Sequence, residues 1–154
     1  MTLHFAYGSN MSRALMRMRC PQAEALGTAR LSGWRFVITP DGVGSIAPRA
    51  GGEVLGVLWR VTARDLAAIN AYESLDSGLY LRRMLTVRHG ARQAPALVYV
   101  ARRQGEGTPR PGYINVVVEA ARDWELPESY ICSLRRWSPS RLRGARPRES
   151  GEFG

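Results

Sequence analysis

The spacing of apolar and polar residues changes several times along the chain, and each change predicts an element of secondary structure. Residues 2–7 predict a short buried strand that stops at a glycine. Residues 11–18 then predict a short helix that Ser12 can cap. The alternating stretch 31–38 predicts a strand, followed by a Pro-Asp-Gly turn and a second strand at 44–49. The first third of the chain is therefore expected to contain a β-hairpin.

The middle of the chain predicts a central strand followed by a helix. Residues 54–61 are almost continuously apolar, which is typical of a strand covered on both faces. Thr62 and Asp65 then form a capping-box pattern, with Asp in place of the usual Glu, which predicts the start of a helix. In a continuous helix Glu73 lies four residues after Ile69, on the apolar face.

The second half of the chain predicts two strands and then two helices. The strands are expected at 80–87 and 94–101, and apolar residues at helical spacing predict a helix over 114–124. Pro127 can open a last helix that reaches Trp137. Strands come first, with helices inserted and appended, which predicts one α+β domain with a curled sheet or small barrel.

Composition narrows the class of protein. A length of 154 residues suits one domain, and 45% hydrophobic content is ordinary for a globular protein. No stretch reaches the roughly 18 apolar residues of a membrane span, and the first residues lack the pattern of an export signal. We therefore expect a cytoplasmic protein without a membrane partner, in which Cys20 and Cys132 are reduced thiols.

The net charge of +9 raises the question of a nucleic-acid partner. Every basic residue is arginine, and the arginines are spread along the chain, which indicates a compositional bias rather than a binding surface. The one dense run, from Arg135 to Arg148, lies mostly within a stretch from Ser138 onward that is rich in proline, glycine, serine and arginine. We expect a domain at 1–137 and a basic, flexible, solvated tail at 138–154, with nucleic-acid binding by the tail as the lesser alternative.

The sequence Tyr7-Gly8-Ser9-Asn10 is the first candidate for chemistry. A strand that ends in Gly-Ser-Asn before a helix leaves backbone N–H groups without ladder partners, and such groups can bind a carboxylate or an oxyanion. An ordinary strand-to-helix turn, with Gly8 for backbone freedom and Asn10 or Ser12 as the cap, accounts for the same residues. The local pattern leaves both interpretations open.

Glu73 is the second candidate. A carboxylate on an apolar helix face loses solvation, which raises its pKa toward the range useful for proton transfer. The alternatives are that the helix frays before Glu73, or that Arg82 or Arg83 pairs with it. Tyr80 and Tyr113 can each bury a ring and present a hydroxyl to a polar site, although packing in the core explains them as well.

Two other kinds of catalysis find little support. Ser9 lacks a Gly-x-Ser-x-Gly elbow, and the two histidines, His4 and His89, have no acidic partner nearby in sequence. His4 falls within the first strand, where we expect a structural role. We find no cluster of metal ligands, so catalysis by a metal is not expected.

Several segments, taken together in chain order, resemble one family. They are Phe5-Ala6-Tyr7-Gly8-Ser9-Asn10-Met11-Ser12, Arg19-Cys20-Pro21, Val54-Leu55-Gly56-Val57-Leu58-Trp59, Leu66-Ala67-Ala68-Ile69-Asn70-Ala71-Tyr72-Glu73, Gly78-Leu79-Tyr80-Leu81-Arg82, Pro111-Gly112-Tyr113-Ile114 and Leu126-Pro127-Glu128-Ser129-Tyr130. This series is similar to the γ-glutamylcyclotransferase-like family, which includes the AIG2-like proteins. It departs from the family at Ser74, where glycine is frequent, and at Asn70, where aspartate is common.

The resemblance implies a small mixed β-barrel flanked by helices, and an enzyme that cyclises a γ-glutamyl amide to 5-oxoproline with release of an amino acid or amine. It implies that Glu73 is the acid/base and that no cofactor is needed. The substrate-binding residues it implies are Tyr7, Gly8, Ser9 and Asn10 in the loop, with Tyr80 and Tyr113 around the pocket. A non-catalytic small-molecule-binding or regulatory domain on the same fold is the alternative.

The leaving group is not determined by these residues. Glutathione, γ-glutamyl amino acids, γ-glutamyl amines and γ-glutamylated antibiotic intermediates share the same reacting half. Arg82 and Arg110 are candidates for recognising an acidic leaving group. The oligomeric state is not predicted.

Overall fold

Five β-strands form a closed barrel in a computed structural model that describes residues 1–72, 79–103 and 105–138. They are β1 (Thr2–Ala6), β2 (Glu24–Ile38), β3 (Gly44–Val61), β4 (Tyr80–His89) and β5 (Arg92–Ala101). The strand order is β1-β3-β2-β4-β5, and the barrel closes where β1 runs parallel to β5 at His4 and Leu97. All other pairings are antiparallel. The predicted α+β fold, a small mixed β-barrel flanked by helices, is confirmed.

The hairpin of β2 and β3 is much longer than the sequence pattern predicts. The strands predicted at 44–49 and 54–61 are one continuous strand of 18 residues, so their separation was wrong. Residues 49–53 lack apolar alternation because most of them are exposed. Pro48 pairs with Trp34 and Glu53 pairs with Ser32, and the register shifts between these two pairs, so residues 49–52 form an irregularity within the strand. The strand continues through backbone pairing on both sides of this irregularity, which needs no apolar side chain.

The run 54–61 lies at the centre of the sheet, between β1 and β2, as predicted. Its side chains Val54, Val57 and Val61 are fully buried. Gly56 packs so closely against β1 that a Cβ atom at this position would lie 2.2 Å from the carbonyl oxygen of Ala6. The end of β1 is therefore held against β3 by backbone contact as well as by side chains.

Four α-helices surround the barrel in the described part of the chain: α1 (Arg13–Arg19), α2 (Ala63–Tyr72), α3 (Tyr113–Asp123) and α4 (Glu128–Arg135). Ser12 caps α1, as predicted, and accepts a hydrogen bond from the N–H of Leu15 at 3.2 Å. The predicted apolar face of α3 is buried, and Pro127 immediately precedes α4. The indole of Trp124, just after α3, donates to the carbonyl of Met11 at 2.7 Å, which connects α3 to the chain that follows β1.

The start of α2 follows the predicted capping pattern only in part. The hydroxyl of Thr62 accepts from the N–H of Asp65 at 3.1 Å, as expected of the cap. The carboxylate of Asp65 does not return this bond to Thr62; it is 2% exposed and accepts from the N–H of Gln22 at 3.0 Å. Aspartate is one methylene shorter than glutamate, and here it joins the start of α2 to the loop before β2.

Some predictions concern residues outside the described ranges. These are residues 73–78, 104 and 139–154, so Glu73 and all but the first residue of the predicted tail at 138–154 lie outside the described residues. The division into a domain at 1–137 and a tail stays a prediction. Among the helices that the structure describes, none has the length and apolar character needed to cross a membrane.

The close approach of Gly56 to β1 predicts the effect of a single methyl group. Gly56→Ala should lower the free energy of unfolding by more than about 2 kcal/mol, because its Cβ would overlap the carbonyl oxygen of Ala6. Urea unfolding measures this change. Gly51→Ala is the control: its φ is +77° and nothing lies within 4 Å of the added Cβ, so we expect a cost of about 1 kcal/mol. Equal costs for the two variants would contradict the described contact.

Candidate active site

A cavity of about 250 Å³ opens where β1 ends, beside the start of β3 and the start of α3. Every predicted site residue in the described ranges lines it: Tyr7, Gly8, Ser9, Asn10, Tyr80 and Tyr113. The other described residues around it are His4, Phe5, Ala6, Val43, Gly44, Tyr72, Leu79, Tyr99 and Arg110. Glu73 lies outside the described residues. The fold thus brings together residues that are more than a hundred positions apart in sequence.

The loop after β1 leaves backbone donors beside the cavity. Ser9–Met11 forms one turn of 3₁₀ helix, in which the N–H of Met11 donates to the carbonyl of Gly8 at 3.0 Å. The first N–H groups of such a turn have no acceptor within it. Neither the N–H of Gly8 nor that of Ser9 is donated to another group in the described part of the chain. Both residues line the cavity, so these N–H groups are placed to bind a negatively charged oxygen.

The hydroxyl of Tyr113 occupies the space beside two glycines. A Cβ atom on Gly8 would lie 2.7 Å from this hydroxyl oxygen, and a Cβ atom on Gly44 would lie 2.6 Å from it. Tyr113 is the first residue of α3 and follows Gly112, whose φ of +79° turns the chain into the helix. The first residue of α3 therefore reaches both the end of β1 and the start of β3, because neither glycine has a side chain.

Two tyrosines that line the cavity, Tyr7 and Tyr80, are buried in the core and also bond to backbone carbonyls. Tyr80 donates to the carbonyl of Gly44 at 2.6 Å, and Tyr7 donates to the carbonyl of Tyr99 at 2.5 Å. The hydroxyl of Tyr99 in turn donates to the side-chain oxygen of Asn70 in α2. From the sequence, packing in the core and a position at the cavity are alternative explanations for Tyr80 and Tyr113. In the structure both residues pack against the core and also line the cavity.

Arg19 and Tyr72 belong to the surroundings of the site, and sequence reasoning missed both roles. The guanidinium carbon of Arg19 lies 3.4 Å from the centre of the Tyr72 ring, a cation–π contact. The same guanidinium donates to the hydroxyl of Ser9 at 3.4 Å and to the side-chain oxygen of Asn10. The only signal in the sequence is that Arg19 and Tyr72 both fall in segments of the family resemblance.

The structure distinguishes the two arginines proposed for an acidic leaving group. Arg110 lines the cavity. Arg82 is exposed on β4 and is not among the described residues around the cavity.

His4 is held neutral beside the cavity. It is 2% exposed, its Nδ1 donates to the carbonyl of Leu97 at 3.3 Å, and its ring contacts Tyr99 edge-on at 5.5 Å. Burial lowers the pKa of His4 to about 4, and the hydrogen bond to Leu97 only partly opposes this shift. An imidazole with this pKa carries no charge at neutral pH, which agrees with the structural role predicted for it.

The described residues contain no cluster of potential metal ligands. Within residues 1–72, 79–103 and 105–138, no three His, Cys, Asp or Glu side chains are arranged to hold a metal ion.

A double-mutant cycle tests the contact of Gly8 with Tyr113. Gly8→Ala should cost about 1–3 kcal/mol of stability, because the new methyl group meets the tyrosine hydroxyl. In a Tyr113→Phe background the nearest remaining ring atom is Cζ, 3.9 Å away, so the same substitution should cost less. Urea unfolding measures the free energy of unfolding of the wild type, the two single variants and the double variant. Effects of Gly8→Ala on the backbone cancel in this comparison. An identical cost in both backgrounds would mean that the two residues do not touch.

The buried neutral imidazole of His4 predicts a pH dependence of stability. Below pH 6.5 the unfolded chain takes up a proton on His4, whereas the folded chain does so only near pH 4. Stability is therefore complete above pH 6.5 and falls as the pH drops to 4, by about 3 kcal/mol. In His4→Asn, which keeps a donor near the carbonyl of Leu97, this part of the pH dependence should disappear. Parallel pH profiles for wild type and variant would refute the assignment.

Comparison with known proteins identifies the family. The AIG2-like family model matches residues 53–134, more than half of the chain. The chain is 25% identical to a gamma-glutamylcyclotransferase of Mus musculus and 27% identical to one of Bos taurus, in each case over 92% of this chain and 81% of the relative. A solved structure named gamma-glutamyl cyclotransferase has the same fold, with a TM-score of 0.83 and 22% identity, and the match covers 99% of this chain and 93% of that one. The chain therefore belongs to the AIG2-like family.

Proposed function

We propose that this chain is a γ-glutamylcyclotransferase, which converts a γ-glutamyl amide to 5-oxoproline and releases an amino acid or amine. Two relatives that align with 92% of the chain carry the name gamma-glutamylcyclotransferase. The observation that carries the proposal is the pair of unused N–H donors, on Gly8 and Ser9, at a cavity lined by the predicted loop and tyrosines.

The proposed reaction needs one small molecule and no second substrate. The α-amino nitrogen of the glutamyl group attacks its own γ-carbonyl carbon, the bond from that carbon to the leaving nitrogen breaks, and a proton moves from the first nitrogen to the second. A cavity of about 250 Å³ favours a folded substrate, in which the two reacting atoms are near each other. Alignment of this kind contributes roughly 7–11 kcal/mol to well-arranged intramolecular reactions.

The N–H groups of Gly8 and Ser9 suit the charge that this reaction develops. Attack on the carbonyl carbon moves negative charge onto the carbonyl oxygen, and a fixed backbone donor at that position contributes roughly 3 kcal/mol. The substrate carboxylate is the other anionic group that these donors can bind. The loop is anchored on both sides, because Tyr7 donates to the carbonyl of Tyr99 and the N–H of Met11 donates to the carbonyl of Gly8, so the donors need little reorganisation when the charge forms.

Glu73 is the proposed proton carrier. Tyr72 and Leu79, the described residues on either side of 73–78, both line the cavity. Among the described residues that line it, none is an aspartate or glutamate, and the one histidine is the buried His4. As the neutral α-amino nitrogen attacks, the carboxylate of Glu73 can accept one proton from it and return that proton to the leaving nitrogen.

Glu73→Gln tests this role. The amide cannot carry the proton, so the formation of 5-oxoproline should fall by at least about 100-fold. The fold and substrate binding should be preserved, because glutamine has nearly the same shape. Mass-spectrometric detection of 5-oxoproline over a panel of γ-glutamyl amides measures turnover, and calorimetry measures binding.

Glu119→Gln is the matched control. Glu119 is exposed on α3 and does not line the cavity, so turnover should be unchanged. Normal turnover in a folded Glu73→Gln protein would remove Glu73 from the mechanism. A wild-type protein that binds γ-glutamyl compounds but forms no 5-oxoproline from any of them would favour the non-catalytic binding domain instead.

A further inference from the structure

Arg110 is the one charged residue among the described residues that line the cavity. The other described residues that line the cavity carry no charge: they are glycines, apolar residues, residues with a hydroxyl or amide group, and the neutral His4. Arg19 is a second cation nearby, but its guanidinium is already bonded to Ser9 and Asn10 and stacked on Tyr72. Arg110 is exposed, whereas Gly8 and Asn10 are buried. Its charge therefore lies on the solvent side of the cavity, and the loop after β1 lies deeper.

The backbone and side chain of Arg110 are held by the turn between β2 and β3. The N–H of Arg110 donates to the carbonyl of Gly42 at 2.9 Å, and its Nε donates to the carbonyl of Asp41 at 2.9 Å. Gly42 has a φ of +85°, and a Cβ atom there would lie 2.8 Å from the Cγ of Arg110. The stem of the arginine thus packs on a position that only glycine fills without strain, and the Nε bond to Asp41 orients the guanidinium.

Most of the hydrogen-bonding capacity of Arg110 is unused. A guanidinium has five N–H donors, and the Asp41 carbonyl takes the one on Nε. The four on the two Nη atoms are given to no group in residues 1–72, 79–103 and 105–138. The nearby carboxylate of Asp41 accepts from Arg103 at 3.0 Å, so it is paired elsewhere. Two Nη atoms with free donors form the fork that binds a carboxylate by two parallel hydrogen bonds.

We propose that Arg110 is a specificity-determining residue that binds the carboxylate of the leaving group. This inference rests on the proposed function. The leaving group departs to solvent, so it occupies the exposed side of the cavity, where Arg110 lies, while the glutamyl part lies against the buried loop. Arg110 then favours γ-glutamyl amino acids over γ-glutamyl amines, which offer no carboxylate at this point.

A matched pair of substrates tests this assignment. γ-Glutamyl-L-alanine and γ-glutamylethylamine have the same reacting half and differ only by the carboxylate of the leaving group. Wild-type kcat/KM, measured by the release of 5-oxoproline, should be at least about tenfold higher for the alanine compound. Arg110→Gln should remove this preference by slowing the alanine compound alone, and Arg110→Lys, which keeps the charge without the fork, should retain part of it.

Arg92→Gln is the control, since Arg92 is exposed on β5 away from the cavity and its loss should leave the preference unchanged. Thermal unfolding verifies that all variants are folded. If Arg110→Gln slows both compounds equally, Arg110 binds the glutamyl part, and if it slows neither compound, Arg110 binds no substrate. Either result overturns the role assigned to Arg110 and leaves the proposed function standing. If the wild-type protein forms 5-oxoproline from neither compound, the proposed function fails and this assignment fails with it.

Discussion

The contact of one tyrosine hydroxyl with two glycines determines the shape of the cavity. Tyr113 belongs to α3, Gly8 follows β1, and Gly44 begins β3, so three elements that are distant in sequence meet at a single oxygen atom. A side chain on either glycine would push the tyrosine away. Neither glycine has a φ in the left-handed region, and the contact that excludes a side chain at both positions is a steric one, with the tyrosine hydroxyl.

The polar groups around the cavity are arranged with few charges. Burial keeps His4 neutral, the hydroxyls of Tyr7 and Tyr80 bond to backbone carbonyls, and the described lining carries a single cation at its exposed side. Two backbone N–H groups remain available at the deeper end. In a site with little competing charge, a carboxylate or oxyanion interacts more strongly with these donors than it would in water.

The sequence pattern predicted the helices and most strands because their buried faces repeat at regular spacing, as in α3 and in residues 54–61. It did not predict the full length of the β2–β3 hairpin, since residues 49–52 lie at a register shift between two paired segments and carry no apolar repeat. It predicted the loop after β1 from local turn chemistry and from a family resemblance. It could not reveal that Arg19 covers Tyr72 or that Arg110 and not Arg82 reaches the cavity, because these contacts depend on the three-dimensional packing.

The binding of 5-oxoproline, the product of the proposed reaction, to the loop after β1 is the most direct test of this site. Titration of ¹⁵N-labelled wild-type protein with 5-oxoproline, followed by ¹H–¹⁵N NMR spectra, reports on each backbone N–H group. A product that occupies the cavity should shift the resonances of Gly8 and Ser9 more than those of exposed strand residues such as Arg92. Saturable shifts confined to another part of the protein, with Gly8 and Ser9 unaffected, would contradict the assignment of these donors to the γ-glutamyl group.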